Sequence, residues 1–146
     1  MSLAIYVAAS SINSDGKIHG HQRRVGYKAS KNFTLHLQTC EDEIKQAENF
    51  DELLTMIKSN KTYMIGSLTV YDTAERIGAF LGLFPTKVYL HCGVREGAIR
   101  LLGTIGKKKS LKLTDFPLQW QKSNLNARQI ENILCIYKNH MNPNLL

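Results

Sequence analysis

Apolar positions recur at helical spacing along much of the chain. After Ala29, the residues Phe33, Leu37, Cys40, Ile44 and Ala47 follow steps of four and three, which gathers them on one face and leaves Glu41, Asp42, Glu43 and Lys45 to water. That spacing predicts one continuous helix. Asn49 followed three residues later by Glu52 is a capping-box arrangement, so a second, shorter helix is expected from Phe50 to about Lys58, closed by Ser59, Asn60 and Lys61. A third helix, capped by Ser67 or Thr69, carries Val70, Ala74, Ile77 and Leu81 on one face and stops at Gly82 and Pro85. Residues 94–102 read as a further helix ended by Gly103. Asn126 with Gln129 opens a last one whose inner face is Ile130, Ile133, Leu134 and Tyr137. The tail, with Pro143, cannot continue it.

Three segments lack this pattern. The run from Leu3 to Ala9 is apolar throughout and reads as the first buried element. It falls far short of the roughly 20 residues that span a bilayer, and it has no basic stretch in front of it as a secretory signal would. Residues 11–27, with Asp15-Gly16 and Gly20, form a polar loop. Val88, Tyr89 and Leu90 are β-prone but few, so a short extended segment is expected around residues 87–92. The sum is a mostly α-helical chain, a single compact domain over residues 1–146 with five or six helices.

Composition narrows the picture. Hydrophobic residues make up 43% of the 146, which excludes intrinsic disorder. Cys40, Cys92 and Cys135 stand at unrelated spacings, so neither a disulfide framework nor a zinc knuckle is indicated, and a reducing cytoplasm is the expected location. No metal, cofactor or membrane partner is expected. The formal net charge is +7, from 19 Lys and Arg against 12 Asp and Glu. It is wholly local: residues 1–84 carry nine basic and nine acidic side chains, residues 85–146 ten and three. Lys107, Lys108 and Lys109, followed by Lys112 and preceded by Gly103 and Gly106, mark a basic loop suited to a polyanion.

Candidate chemistry is sparse. His91-Cys92 precedes Gly93 and a helix start, a setting in which a thiol acid is strengthened, and Asp72 is a further candidate acid or base. A phosphatase loop would need an arginine six positions after the cysteine; position 98 is Ala, and the arginines fall at Arg95 and Arg100. Asp72 and Arg76 are spaced for a surface ion pair, with Arg76, Arg95 and Arg100 converging on an anion as the alternative. His19, His21 and Arg23 in the polar loop form a second candidate anion site, since a guanidinium and an imidazole both donate. Tyr71, Tyr89 and Trp120 could offer faces for bases.

The stretch from Tyr71 to Gly103 resembles the core of helix-hairpin-helix DNA glycosylases. Ile65-Gly66 stands for the hairpin, Thr73-Ala74 for the helix start, His91 for a later histidine and Leu102-Gly103 for the closing pair. The resemblance implies phosphate binding by backbone N–H groups. It also implies no glycosylase activity by the usual route, because Tyr89 or Leu90 occupies the place of the catalytic Asp. The series Gly16-Lys17, Tyr71-Asp72-Thr73-Ala74, Val88-Tyr89-Leu90-His91 and Leu134-Cys135-Ile136-Tyr137 also resembles a family of short bacterial proteins of unassigned function. The expectation is a small nucleic-acid-binding or nucleic-acid-associated module that uses a basic C-terminal half. The alternatives are an enzyme acting on a phosphorylated small molecule through His91 and Cys92, and a homo-oligomer joined by an apolar helix face.

Overall fold

The computed structural model describes residues 1–13, 15–18 and 20–143. Among these, eight α-helices and a two-stranded sheet give a mostly helical architecture. Contacts divide the chain into two compact units, Met1–Phe84 and Pro85–Leu146. No helix of the described residues is long and apolar enough to cross a membrane.

The N-terminal unit holds α1 (Ser2–Ser10), α2 (Tyr27–Thr39), α3 (Glu41–Lys45), α4 (Phe50–Ser59) and α5 (Ser67–Leu81). α1 packs against both α2 and α5, and α4 packs on α5. Ile5, Phe33, Leu37, Leu53, Ile57 and Ile77 are fully buried between them. The run Leu3 to Ala9 is helical, but only one side of it is buried: Ile5, Ala8 and Ala9 face the core while Leu3, Tyr6 and Val7 face solvent.

The helix expected after Ala29 breaks in two at Cys40. There the Thr39 hydroxyl donates back to the His36 carbonyl at 2.7 Å, offering the backbone a local partner in place of the next turn. Glu41, Asp42 and Glu43 then occupy a first turn, where helix-dipole charge favours carboxylates. This break, the helical first run and a short helix after Pro117 raise the helix number above five or six.

At α4 the Asn49 side chain accepts from the Glu52 N–H at 3.0 Å, while the Glu52 carboxylate takes the N–H of Glu48, one residue before the cap. The start of α5 is set by Gly66, with no side-chain cap; Thr69 is buried and engaged elsewhere. Thr73 and Ala74 lie in mid-helix, fully buried, so they are not the helix start that the glycosylase resemblance requires. Gly82, at φ +75°, ends α5 in the left-handed conformation, and the Leu83 N–H returns to the Gly78 carbonyl at 2.8 Å.

The C-terminal unit runs β1 (Val88–Tyr89), α6 (Cys92–Leu102), β2 (Ser110–Leu111), α7 (Leu118–Lys122) and α8 (Ala127–Ile136). β1 and β2 pair antiparallel, Val88 with Leu111 and Tyr89 with Ser110, which realises the expected extended segment. α8 opens with a full capping box: Asn126 Oδ1 accepts from the Gln129 N–H, and Gln129 Oε1 from the Asn126 N–H. Its buried face is Ala127, Ile130, Glu131 and Leu134, turned from the expected one; Ile133 is half-buried and Tyr137 exposed.

α6 and α8 meet backbone to backbone. A Cβ at Gly97 would lie 2.3 Å from the Leu134 carbonyl oxygen, and one at Gly93 would lie 3.3 Å from Cys135 Sγ. Gly97→Ala therefore forces the helices apart, and we expect a loss of about 3 kcal/mol, at the upper end for overpacking. Gly93→Ala meets a movable side chain and costs about 1 kcal/mol or less. Urea unfolding of the two variants checks the ranking; equal midpoints would mean that the helices do not cross so closely.

Candidate functional site

The basic loop is held in shape from below. Gly103 (φ +77°) and Gly106 (φ +58°) let the chain turn between α6 and β2. Arg95, one turn into α6, donates from Nη1 to the Gly106 carbonyl at 3.2 Å and from Nη2 to the Lys108 carbonyl. The Leu90 N–H donates to the Lys109 carbonyl at 2.9 Å and ties the loop to the end of β1. With these carbonyls bound, Lys107, Lys108 and Lys109 present exposed side chains.

Beside the loop, the Lys87 ammonium lies 5.5 Å above the Tyr89 ring. Continuing the β1–β2 register places Lys87 across from Lys112. All three carboxylates of this unit are already engaged. Glu96 accepts from Lys138 Nζ at 2.6 Å. Asp115 accepts the Lys112 N–H at 2.9 Å and stands 3.8 Å from Lys108 Nζ. Glu131 is buried, with Oε1 3.2 Å from His91 Nε2. What this unit turns outward is thus predominantly cationic.

The neighbours His91 and Cys92 part company. His91, the N-cap residue of α6, is 8% exposed and points at Glu131 on α8. Cys92 is exposed and takes φ +31°, a backbone conformation that L-residues rarely adopt. Arg100 reaches the Asn139 carbonyl at 3.5 Å. A reacting group at Cys92 would therefore find Arg95 and Arg100 already donating to backbone.

In the N-terminal unit, Gln22 pins the polar loop to α5. Gln22 is 1% exposed; its Nε2 donates to Asp72 Oδ2 at 2.7 Å and its Oε1 accepts from Thr69 Oγ1 at 2.6 Å. Asp72 and Arg76 take different partners, for Arg76 Nη1 donates to the Ala8 carbonyl at 3.1 Å. Arg76 and Asp72 belong to the N-terminal unit, Arg95, Arg100 and the lysine loop to the C-terminal one. Arg23 is exposed, whereas His19 and the His21 side chain lie outside the described residues.

Of the expected stacking residues, Tyr71 is buried edge-on against Phe50, with centroids 5.9 Å apart, and so offers no face. One face of Trp120 is covered by Phe116, stacked at 5.9 Å. Tyr89 is half-buried under Lys87.

Sequence reasoning missed Glu131 and Gln22. Glu131 had a signal, since it falls with Ala127, Ile130 and Leu134 at the spacing of one helix face, where a carboxylate demands a partner. Gln22 had none. No group of three or more His, Cys, Asp and Glu among the described residues is placed to hold a metal. Comparisons with protein-family models, with curated proteins and with solved structures find no match.

Two expectations follow from these pairs. Glu131→Ala removes the carboxylate that His91 faces in the core and should cost about 3 kcal/mol, whereas the double change Glu131→Met with His91→Phe should recover most of that, because a buried pair is dearer to break than to replace. A double-mutant cycle read by urea unfolding decides; additive losses would mean that the two side chains do not interact. Lys138 beside Glu96 lowers that carboxyl below its ordinary 4.5, through the hydrogen bond first and charge attraction second. A depressed carboxyl pKa stabilises the fold above the ordinary value and loses that effect as pH falls through the folded-state value. An NMR titration should place Glu96 below 4.5 in the native chain and return it to about that value in Lys138→Met.

Proposed function

We propose that this protein binds nucleic acid through the cationic surface of Pro85–Leu146. The observation that carries the reading is the committed state of Glu96, Asp115 and Glu131, each held against a cation, a buried imidazole or a backbone N–H of the same unit. The exposed Lys107, Lys109, Lys112 and Lys122 are left facing solvent, with Asp115 beside them held by the Lys112 N–H and Lys108. Such a surface attracts a polyanion by releasing its counterions.

Arg95 strengthens the reading. It fixes the loop carbonyls before any ligand arrives, so the lysines meet phosphates from an ordered loop and less conformational entropy is lost on binding. Lys87 and the partly exposed Tyr89 on the adjoining strand add a cation and an aromatic edge, the combination that recurs where backbone contact is joined to base contact. Sequence-independent binding is expected of the loop, since its exposed donors are lysines, which act as point charges and lack the bidentate fork that reads guanine.

The test is a salt titration of fluorescence-labelled single- and double-stranded oligonucleotides of DNA and RNA by anisotropy. Affinity should fall steeply with salt, and Lys107→Gln with Lys109→Gln should lower the logarithmic salt slope by about 2, one for each phosphate contact removed. Absence of binding at low salt to all four probes, or an unchanged slope in the double variant, refutes the proposal.

A further inference from the structure

α1 is apolar on both sides, yet only one side is covered. Leu3, Tyr6 and Val7 are 74%, 47% and 50% exposed on the side away from Ile5, Ala8 and Ala9. A helix that is hydrophobic all round is ordinarily buried all round. Grooves flank this ridge on either side. One, against α5, is walled by Leu3, Val7 and Phe80 over Ala4 and Ala8. The other, against α2, is walled by Tyr6, Tyr27 and Leu35. Phe80, Tyr27 and Leu35 are themselves 61%, 67% and 53% exposed. Single exposed apolar residues are ordinary on any surface, but six large ones across three adjoining helices form a contiguous face of the kind that marks an interface.

We propose that this face joins two copies of the chain in a two-fold symmetric dimer, with α1 of one copy laid across α1 of the other. Area supports a second copy. A fully buried aromatic side chain hides roughly 150–250 Å², and at the exposures above the six side chains offer on the order of 600 Å² per copy. Two such faces bury about 1,200 Å², the lower bound for a specific protein–protein interface.

Charge supports it as well. Each copy carries +7, and all of that excess lies in residues 85–146, whereas residues 1–84 balance nine basic against nine acidic side chains. Two copies therefore approach with the least repulsion through the neutral unit. No carboxylate lines either groove, so a basic partner helix would find no counter-charge there. The cations in the lining are Lys31, Arg76 and the Met1 ammonium; Arg76 is spent on the Ala8 carbonyl, and the ammonium stands 4.0 Å from Glu41 Oε1. A nearly uncharged apolar face is matched best by itself, and a two-fold axis brings the same patch from both copies into register.

Sedimentation equilibrium of the full chain tests this. A dimer dissociating in the micromolar range is expected, and Val7→Glu and Phe80→Glu should each raise the dissociation constant by on the order of 100-fold. Both side chains are largely exposed, so the folded state is expected to survive; should Val7→Glu fail to fold, Phe80→Glu on a different helix decides alone. Ile136→Glu, at a 69% exposed apolar position of the C-terminal unit, should leave the dimer intact. A chain that stays monomeric throughout the micromolar range overturns the proposal, including one that takes up an added amphipathic peptide instead. So does a dimer that tolerates both α1-face variants and is lost in Ile136→Glu.

Discussion

The C-terminal unit depends on how closely two helix backbones approach at Gly97. With no side chain there, the Leu134 carbonyl of α8 occupies the space a methyl group would fill, and the two helix axes are drawn together along α6. Glu131 sits one turn before Leu134 on the same buried face, so this approach carries a carboxylate into the core. His91, at the start of α6, is there to receive it. The pair is thus a consequence of the crossing as much as a support for it: a carboxylate buried by backbone proximity needs a partner, and one is supplied by the helix that buried it. Lys138 and Glu96 repeat the same tie on the outside, where solvent weakens it.

The N-terminal unit solves a different problem. Its first helix is short and carries no side-chain cap, and it is held mainly by what lies on either side. Arg76 crosses from α5 to the Ala8 carbonyl near the end of α1, where unpaired carbonyls need donors. The polar loop that follows is closed on itself by the Ile12–Ile18 bridge and tied to α5 by Gln22, whose amide uses both ends at once, donating to Asp72 and accepting from Thr69. Three positions of α5 spaced three and four residues apart, Thr69, Asp72 and Arg76, therefore do structural duty for α1 and its loop. Their polarity is explained without any ligand.

Much of this could be read from the chain, and the boundary between legible and illegible is physical. Asn49 and Asn126 mark helix starts because capping is a local interaction among four residues. The left-handed stop at Gly82 is local for the same reason, whereas the β-prone residues at Val88 announce an extended segment that only pairing with distant Leu111 completes. Cys40 was hidden because apolar periodicity runs straight through the break and only the Thr39 hydroxyl and the acidic triplet announce it. The face of α8 was misjudged by a fraction of a turn because Glu131 looks like a solvent residue until His91 is brought to it from far along the sequence. The lysine loop was visible as charge, whereas the role of Arg95 was not, since its partners are carbonyl oxygens and every residue has one.

The grip of Arg95 on carbonyl oxygens also sets how the loop can change over time. Arg95 grips Gly106 and Lys108 by main-chain atoms, so the contour of the loop is indifferent to which side chains ride on it, provided that position 106 keeps its left-handed backbone. Lysines at 107, 108 and 109 can be gained, lost or exchanged without the scaffold being solved again. Substitutions there alter how much charge is displayed and leave its placement fixed, which separates the evolution of binding strength from the evolution of shape.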